Sequence, residues 1–129
     1  MVWVNGCFDI IHIGHIKLLQ YASSFGDLIV GLDSDRRIME NKGNLRPFNT
    51  LTDRIGVLES IKYVKRVVSF DTNDELIMAI KTHKCKMIVV GSDYIDQNII
   101  GSDCVDTVRF FQRIPDKSTS MILQNMFLR

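Results

Sequence analysis

The chain has almost no excess charge. Sixteen Lys and Arg stand against fifteen Asp and Glu over 129 residues, a formal net charge of +1. The lack of a broad field of one sign argues against a general nucleic-acid or membrane-surface binder. No apolar run approaches the roughly 20 residues that a membrane helix needs. The N-terminus lacks a signal-peptide pattern: no basic region opens it, and Asp9, His12 and His15 come early, so a cytoplasmic location is expected. Cysteine is scarce. Cys7, Cys85 and Cys104 form no C-x-x-C pair, which suggests neither a zinc site nor a disulfide framework and points to reduced, mostly buried thiols. There is no internal repeat, low-complexity segment or linker. With 46% apolar and 24% charged residues, the composition suits one globular domain spanning residues 1–129 around one core.

What is present is an alternation of short apolar runs and helical periods. Met1 to Val4 reads as a buried strand, and Ile16 to Phe25 as a helix with Leu18, Leu19, Ala22 and Phe25 on one face. Asp27 to Leu32 is a second strand. Asp33-Ser34-Asp35 closes it and can cap a helix from Arg36 to Glu40. Residues 41–49 form a loop. Thr50 with Asp53 and Thr72 with Glu75 have capping-box spacing, opening helices over Leu51–Ile61 and up to about Thr82. Arg66–Phe70 and Lys86–Val90 are strands three and four. A short helix near Asp103–Thr107, a fifth strand over Val108–Ile114 and a last helix over Ser118–Phe127 complete the reading. Such alternation implies a parallel sheet covered on both faces. Ligands in these folds bind beyond the carboxyl ends of the strands, at the switch point. Three strands end in polar turns, Gly6 to Asp9, Asp33 to Asp35 and Gly91 to Asp93, and parallel strands would crowd these onto one edge.

The most informative stretch runs from Asn5 to His15, N-G-C-F-D-I-I-H-I-G-H. It turns the first strand into the first helix and sets two imidazoles three apart at the helix start. Unpaired N–H groups and the positive dipole end favour an anion there. Imidazoles add hydrogen bonds, or charge when protonated. The combination suits a triphosphate.

Gly6-Cys7-Phe8-Asp9 followed by His12-Ile13-Gly14-His15 resembles the signature of the HxGH nucleotidyltransferases, in their cytidylyltransferase-like branch. Lys42-Gly43, Arg46-Pro47, Asn49 and Arg54 resemble the K-G-x-x-R-P-x-N-x-x-x-x-R segment of the sugar-phosphate members. Gly91-Ser92-Asp93-Tyr94 with Ile100-Gly101-Ser102 resembles the G-G-D-Y and I-x-G-S segments of the heptose-1-phosphate adenylyltransferases. Ser118-Thr119-Ser120 resembles the S-T-T that opens their final helix. Two departures stand out. Val90 replaces the Lys that usually precedes G-G-D-Y, as in glycerol-3-phosphate cytidylyltransferases, and Ser120 replaces the second Thr.

The resemblance implies a Rossmann-like three-layer α/β sandwich with about five parallel strands in the order 3-2-1-4-5. It implies transfer of a nucleoside monophosphate from ATP or CTP to a sugar or polyol phosphate, with Mg²⁺ and release of pyrophosphate, by a homodimer. Heptose 1-phosphate with ATP is the first reading and glycerol 3-phosphate with CTP the second. A nucleotide-binding module that has lost turnover is the alternative of another class. The resemblance assigns His12, His15, Lys42 and Arg54 to catalysis. It assigns Gly6, Cys7, Phe8, Asp9, Gly14, Gly91, Asp93, Ser118, Thr119 and Ser120 to the nucleotide, and Asp35 and Arg46 to the substrate. No protein-held metal is implied, nor a nucleophilic role for Cys7. Plainer roles stay open: Asp9 can cap a turn, Gly14 can simply start a helix, Arg54 can form a salt bridge, and Ser118 can cap its helix.

Overall fold

The computed structural model describes residues 1–92 and 95–112. Strands and helices alternate along the chain: β1 (Val2–Gly6), α1 (Ile13–Ser23), β2 (Leu28–Asp33), α2 (Asp35–Lys42), α3 (Leu51–Glu59), β3 (Arg66–Phe70), α4 (Asn73–Thr82), β4 (Met87–Gly91) and β5 (Thr107–Phe111). The five strands form one sheet in the order β3-β2-β1-β4-β5, with every pairing parallel. This is the Rossmann-like arrangement. The order reverses beside β1, so the switch point lies between β1 and β4, where Asn5 to Gly6 and Gly91 end their strands.

The two-residue period of the strands divides the core. Val2, Val4, Leu28, Val30 and Leu32 face one side and pack with Leu19, Ala22 and Leu58 of α1 and α3. Trp3, Ile29, Phe70 and Ile88 face the other and pack with Leu76 and Ile80 of α4. The Trp3 ring lies over Gly31 in β2, where a Cβ would come 2.3 Å from the ring. Its indole N–H donates to the Asn5 side chain at 2.9 Å.

Polar caps set the helix ends. Ser34, Thr50 and Thr72 accept the backbone N–H groups of Arg37, Asp53 and Glu75, as the spacing predicts. The Glu75 carboxylate accepts from the Asp71 N–H at 3.4 Å, one residue before the expected partner Thr72. Helix α1 begins three residues earlier than its apolar period, because His12 caps it. It ends at Ser23, which leaves Phe25 40% exposed instead of on the buried face. Helix α2 runs two residues beyond Glu40, so Lys42 closes a helix instead of sitting in a loop, and Gly43 ends it at φ 97°.

Residues 102–104 form a single 3-10 turn, and the fifth strand is shorter than expected. The expected final helix, with Ser118, Thr119 and Ser120, lies outside the described residues, as does Asp93. Among the described residues no helix is long and apolar enough to cross a membrane.

Gly31→Ala places a methyl group inside the Trp3 ring and has little room to relax within a central strand. Overpacking of this kind costs about 1–3 kcal/mol. Urea unfolding should show that loss, with the denaturant slope unchanged.

Candidate active site

The turn between β1 and α1 builds the site. The His12 ring nitrogen Nδ1 accepts the Gly14 N–H at 3.0 Å, and His15 Nδ1 accepts the His12 N–H at 3.1 Å. Two imidazoles thus do the work of a capping box. A ring nitrogen that accepts a hydrogen bond carries no proton, so these contacts assign the neutral Nε2–H tautomer to both rings. Each imidazole is therefore a hydrogen-bond donor at Nε2, at the positive end of α1. The rings lie 3.9 Å apart between centroids, and Phe8 lies 5.2 Å from His15.

Phe8 holds φ at 46°, an unfavourable conformation for a bulky residue that costs about 1–3 kcal/mol. Its ring is buried, and it occupies the space beside Gly6, where a Cβ would meet the ring at 3.3 Å.

Asp9 and Arg54 are both buried. The Asp9 carboxylate accepts the N–H groups of Phe48 and Asn49 at 2.6 and 2.7 Å and faces Arg46 Nε at 3.3 Å. It therefore ties the loop over residues 43–49 to the turn. Arg54 donates to the carbonyls of Cys7, Asp33 and Asn49 at 3.0, 2.8 and 3.1 Å and to the Asp35 carboxylate at 2.6 Å. Arg54, expected at phosphate, lies buried beneath the turn on α3 and is salt-bridged to Asp35 in this structure. Asp35, expected at the substrate, is that ion-pair partner. Asp9, expected at the nucleotide, is likewise engaged by the loop.

Above this framework lies a cleft of about 670 Å³ at the carboxyl ends of β1, β2 and β4. It is lined by Gly6, Cys7, Phe8, Asp9, His12, Gly14 and His15 from the turn, and by Lys42 and Arg46 from the far side. Gly91 and Val90 come from β4. The structure thus gathers seven of the named nucleotide and catalytic candidates from the turn, together with Lys42, Arg46 and Gly91, around one opening, and keeps Arg54 and Asp35 outside its lining.

Sequence reasoning missed several lining residues. Arg37 pairs with Asp33 at 2.7 Å, donates to Asn73 at 2.8 Å and stacks over Phe70. Nothing in its spacing marks it apart from an exposed helical arginine. Gln97 to Ile100 also reach the cleft, from a loop with no periodic signal. Among the described residues no group of three or more His, Cys, Asp or Glu could hold a metal ion.

The cytidylyltransferase-like family model matches residues 3–125. The chain belongs to the cytidylyltransferase-like family of nucleotidyltransferases. Curated relatives of this cytidylyltransferase-like chain carry the name bifunctional protein HldE. The one from Campylobacter fetus subsp. fetus is 43% identical over 127 residues, covering 98% of this chain and 28% of that protein. That from Wolinella succinogenes is 43% identical over 129 residues, covering 98% and 27%. The chain therefore spans just over a quarter of the length of these relatives. A crystal structure of the lipopolysaccharide core biosynthesis protein from Thermoplasma volcanium GSS1 shares the fold, with a TM-score of 0.71 and 23% identity over 86% of this chain and 95% of that one.

Two outcomes follow from this geometry. Arg54→Lys keeps the charge but loses the planar fork that reaches three carbonyls and a carboxylate, leaving buried acceptors unpaired, so unfolding stability should fall by about 1–3 kcal/mol in a denaturant titration. Burial, followed by the charge of Asp33, pushes the Cys7 thiol from 9.0 up to about 11. At pH 8 both the folded and unfolded thiols are mostly protonated, and the folded one holds on the order of a hundredfold less thiolate. Iodoacetamide should therefore label Cys7 about a hundredfold more slowly in the native chain than in urea, with the gap narrowing as pH rises through 9 to 11, as read by peptide mass spectrometry.

Proposed function

We propose that this chain transfers adenylyl from ATP to heptose 1-phosphate and releases pyrophosphate. The observation that carries the reading is the pair of Nε2–H imidazoles fixed at the α1 dipole end, facing the cationic Lys42 and Arg46 across one cleft. An oxygen of the acceptor phosphate attacks the α-phosphorus. The bond from that phosphorus to the bridging oxygen breaks, and pyrophosphate leaves with the electron pair. The attacking phosphate is already anionic, so no base need remove a proton.

Charge builds on the α-phosphoryl oxygens during the attack, where the Nε2–H groups of His12 and His15 donate hydrogen bonds. Lys42 and Arg46 neutralise the leaving phosphates, and Gly14 admits them close to the backbone. Mg²⁺ enters as part of the triphosphate substrate, held by phosphate oxygens and water. Whole-chain similarity to the bifunctional HldE proteins and the I-G-S segment support the heptose acceptor. Val90 on the cleft wall favours the second reading, CTP with glycerol 3-phosphate, because it supplies no cation there. The reading includes one catalytic domain over the whole chain, working as a cytoplasmic homodimer, which sedimentation of the purified protein reads directly.

Pyrophosphate release with Mg²⁺, crossing ATP and CTP with heptose 1-phosphate and glycerol 3-phosphate, tests it. ATP with heptose 1-phosphate should be the productive pair, and His15→Ala should lower its kcat by roughly a hundredfold or more. Turnover with CTP and glycerol 3-phosphate alone would replace the reading with the second. Tight nucleotide binding without release across the panel would reduce the chain to a binding module.

A further inference from the structure

Phe8 holds φ at 46°, a conformation unfavourable for a bulky side chain. The carbonyls on either side of it are both taken by side chains from a distant part of the chain. Arg54 donates to the Cys7 carbonyl at 3.0 Å, and the Asn49 amide donates to the Asp9 carbonyl at 2.8 Å. The two are joined to each other, since Arg54 Nε donates to the Asn49 carbonyl at 3.1 Å. The Asn49 N–H also donates to the Asp9 carboxylate at 2.7 Å. One bracket thus holds the peptide that precedes Phe8 and the second peptide that follows it, and the Phe8 ring lies against His15.

We infer that Asn49 is a positioning residue for the nucleotidyl transfer. It holds the Phe8 turn in its unfavourable conformation, and through the Phe8 ring it sets the position and tautomer of His15. The inference rests on the proposed transfer reaction for its kinetic consequence, but its structural part is independent of any turnover. Asn49 is suited to this work because its amide supplies a neutral donor to a carbonyl whose own residue carries a buried carboxylate. A carboxylate at the same place would face that carbonyl with nothing to donate. If the turn relaxes, Phe8 leaves His15, and the His15 ring loses the wall that keeps Nδ1 on the His12 N–H.

Asn49→Asp changes one group and almost no volume. Its kcat for pyrophosphate release should fall roughly ten- to a hundredfold, since small misplacements of a catalytic group cost this much. The KM values for the triphosphate and the acceptor should stay within about threefold, as expected when only transition-state contacts are lost. Long-range ¹H–¹⁵N spectra of the imidazoles, assigned with His12→Gln and His15→Gln, should show the Nε2–H pattern for His15 in the native chain and an averaged pattern in Asn49→Asp. Thr50→Ala is the control, because it removes the cap of the same helix while leaving the Asn49 contacts in place.

Unchanged His15 spectra and kcat in Asn49→Asp would overturn the inference. So would an equal loss in Thr50→Ala, which would make the effect one of helix anchorage. Should Asn49→Asp fail to fold, Asn49→Ser is judged by the same two criteria. If no substrate pair releases pyrophosphate even from the native chain, the reaction assignment fails, and the imidazole spectra alone decide the role of Asn49.

Discussion

The buried guanidinium of Arg54 is the contact on which the site depends. It joins the end of β1 at Cys7, the end of β2 at Asp33, the start of α2 at Asp35 and the entry to α3 at Asn49. Cys7, the Asp33–Asp35 turn and Asn49 are far apart in sequence and have no other common partner among the described contacts. A single planar fork with five N–H donors can serve several acceptors at fixed angles, which no ammonium group can do. A buried ion pair is poor evidence for stability in itself. Its value here is geometric: it fixes how the two central strand ends and the flanking loop meet, and hence the width of the cleft above them.

Asp9 extends the same framework to the loop on the far side. Its carboxylate is met by two backbone N–H groups and one arginine, so a charge that would be costly to bury alone is matched on every side. The loop between Gly43 and Asn49 carries the exposed side chains of Leu45 and Phe48 outward while its far end is fastened to the floor. Arg46 is thereby held on the cleft from a loop, beside Lys42 at the end of α2.

Much of the architecture was legible in the sequence because it depends on local periods. Arg66–Phe70 as a strand and Thr82 as the end of a helix came from apolar pattern and capping residues, and Ser34, Thr50 and Thr72 start helices where their spacing puts them. The order 3-2-1-4-5 came only from resemblance, since local pattern carries no information about which strands pair. The start of α1 was misplaced because histidine is not among the usual capping residues, and here its ring nitrogen replaces a hydroxyl or carboxylate. Arg54 was legible as a conspicuous cation but not as a buried one: its acceptors lie up to 47 positions away. Arg37 and the residues from Gln97 to Ile100 reach the cleft only because the chain folds, and no spacing announces them.

Trp3 has a consequence of another kind. It is the one tryptophan in the chain, it is fully buried, and its indole N–H rests on Asn5, which lines the cleft. The emission of a buried indole depends on the polarity and hydrogen bonding around it. A molecule that enters the cleft and draws on the Asn5 amide therefore alters a spectroscopic signal from within the sheet, two residues below the opening. The chain carries its own optical gauge of occupancy, placed there by the same Gly31 that makes room for the ring.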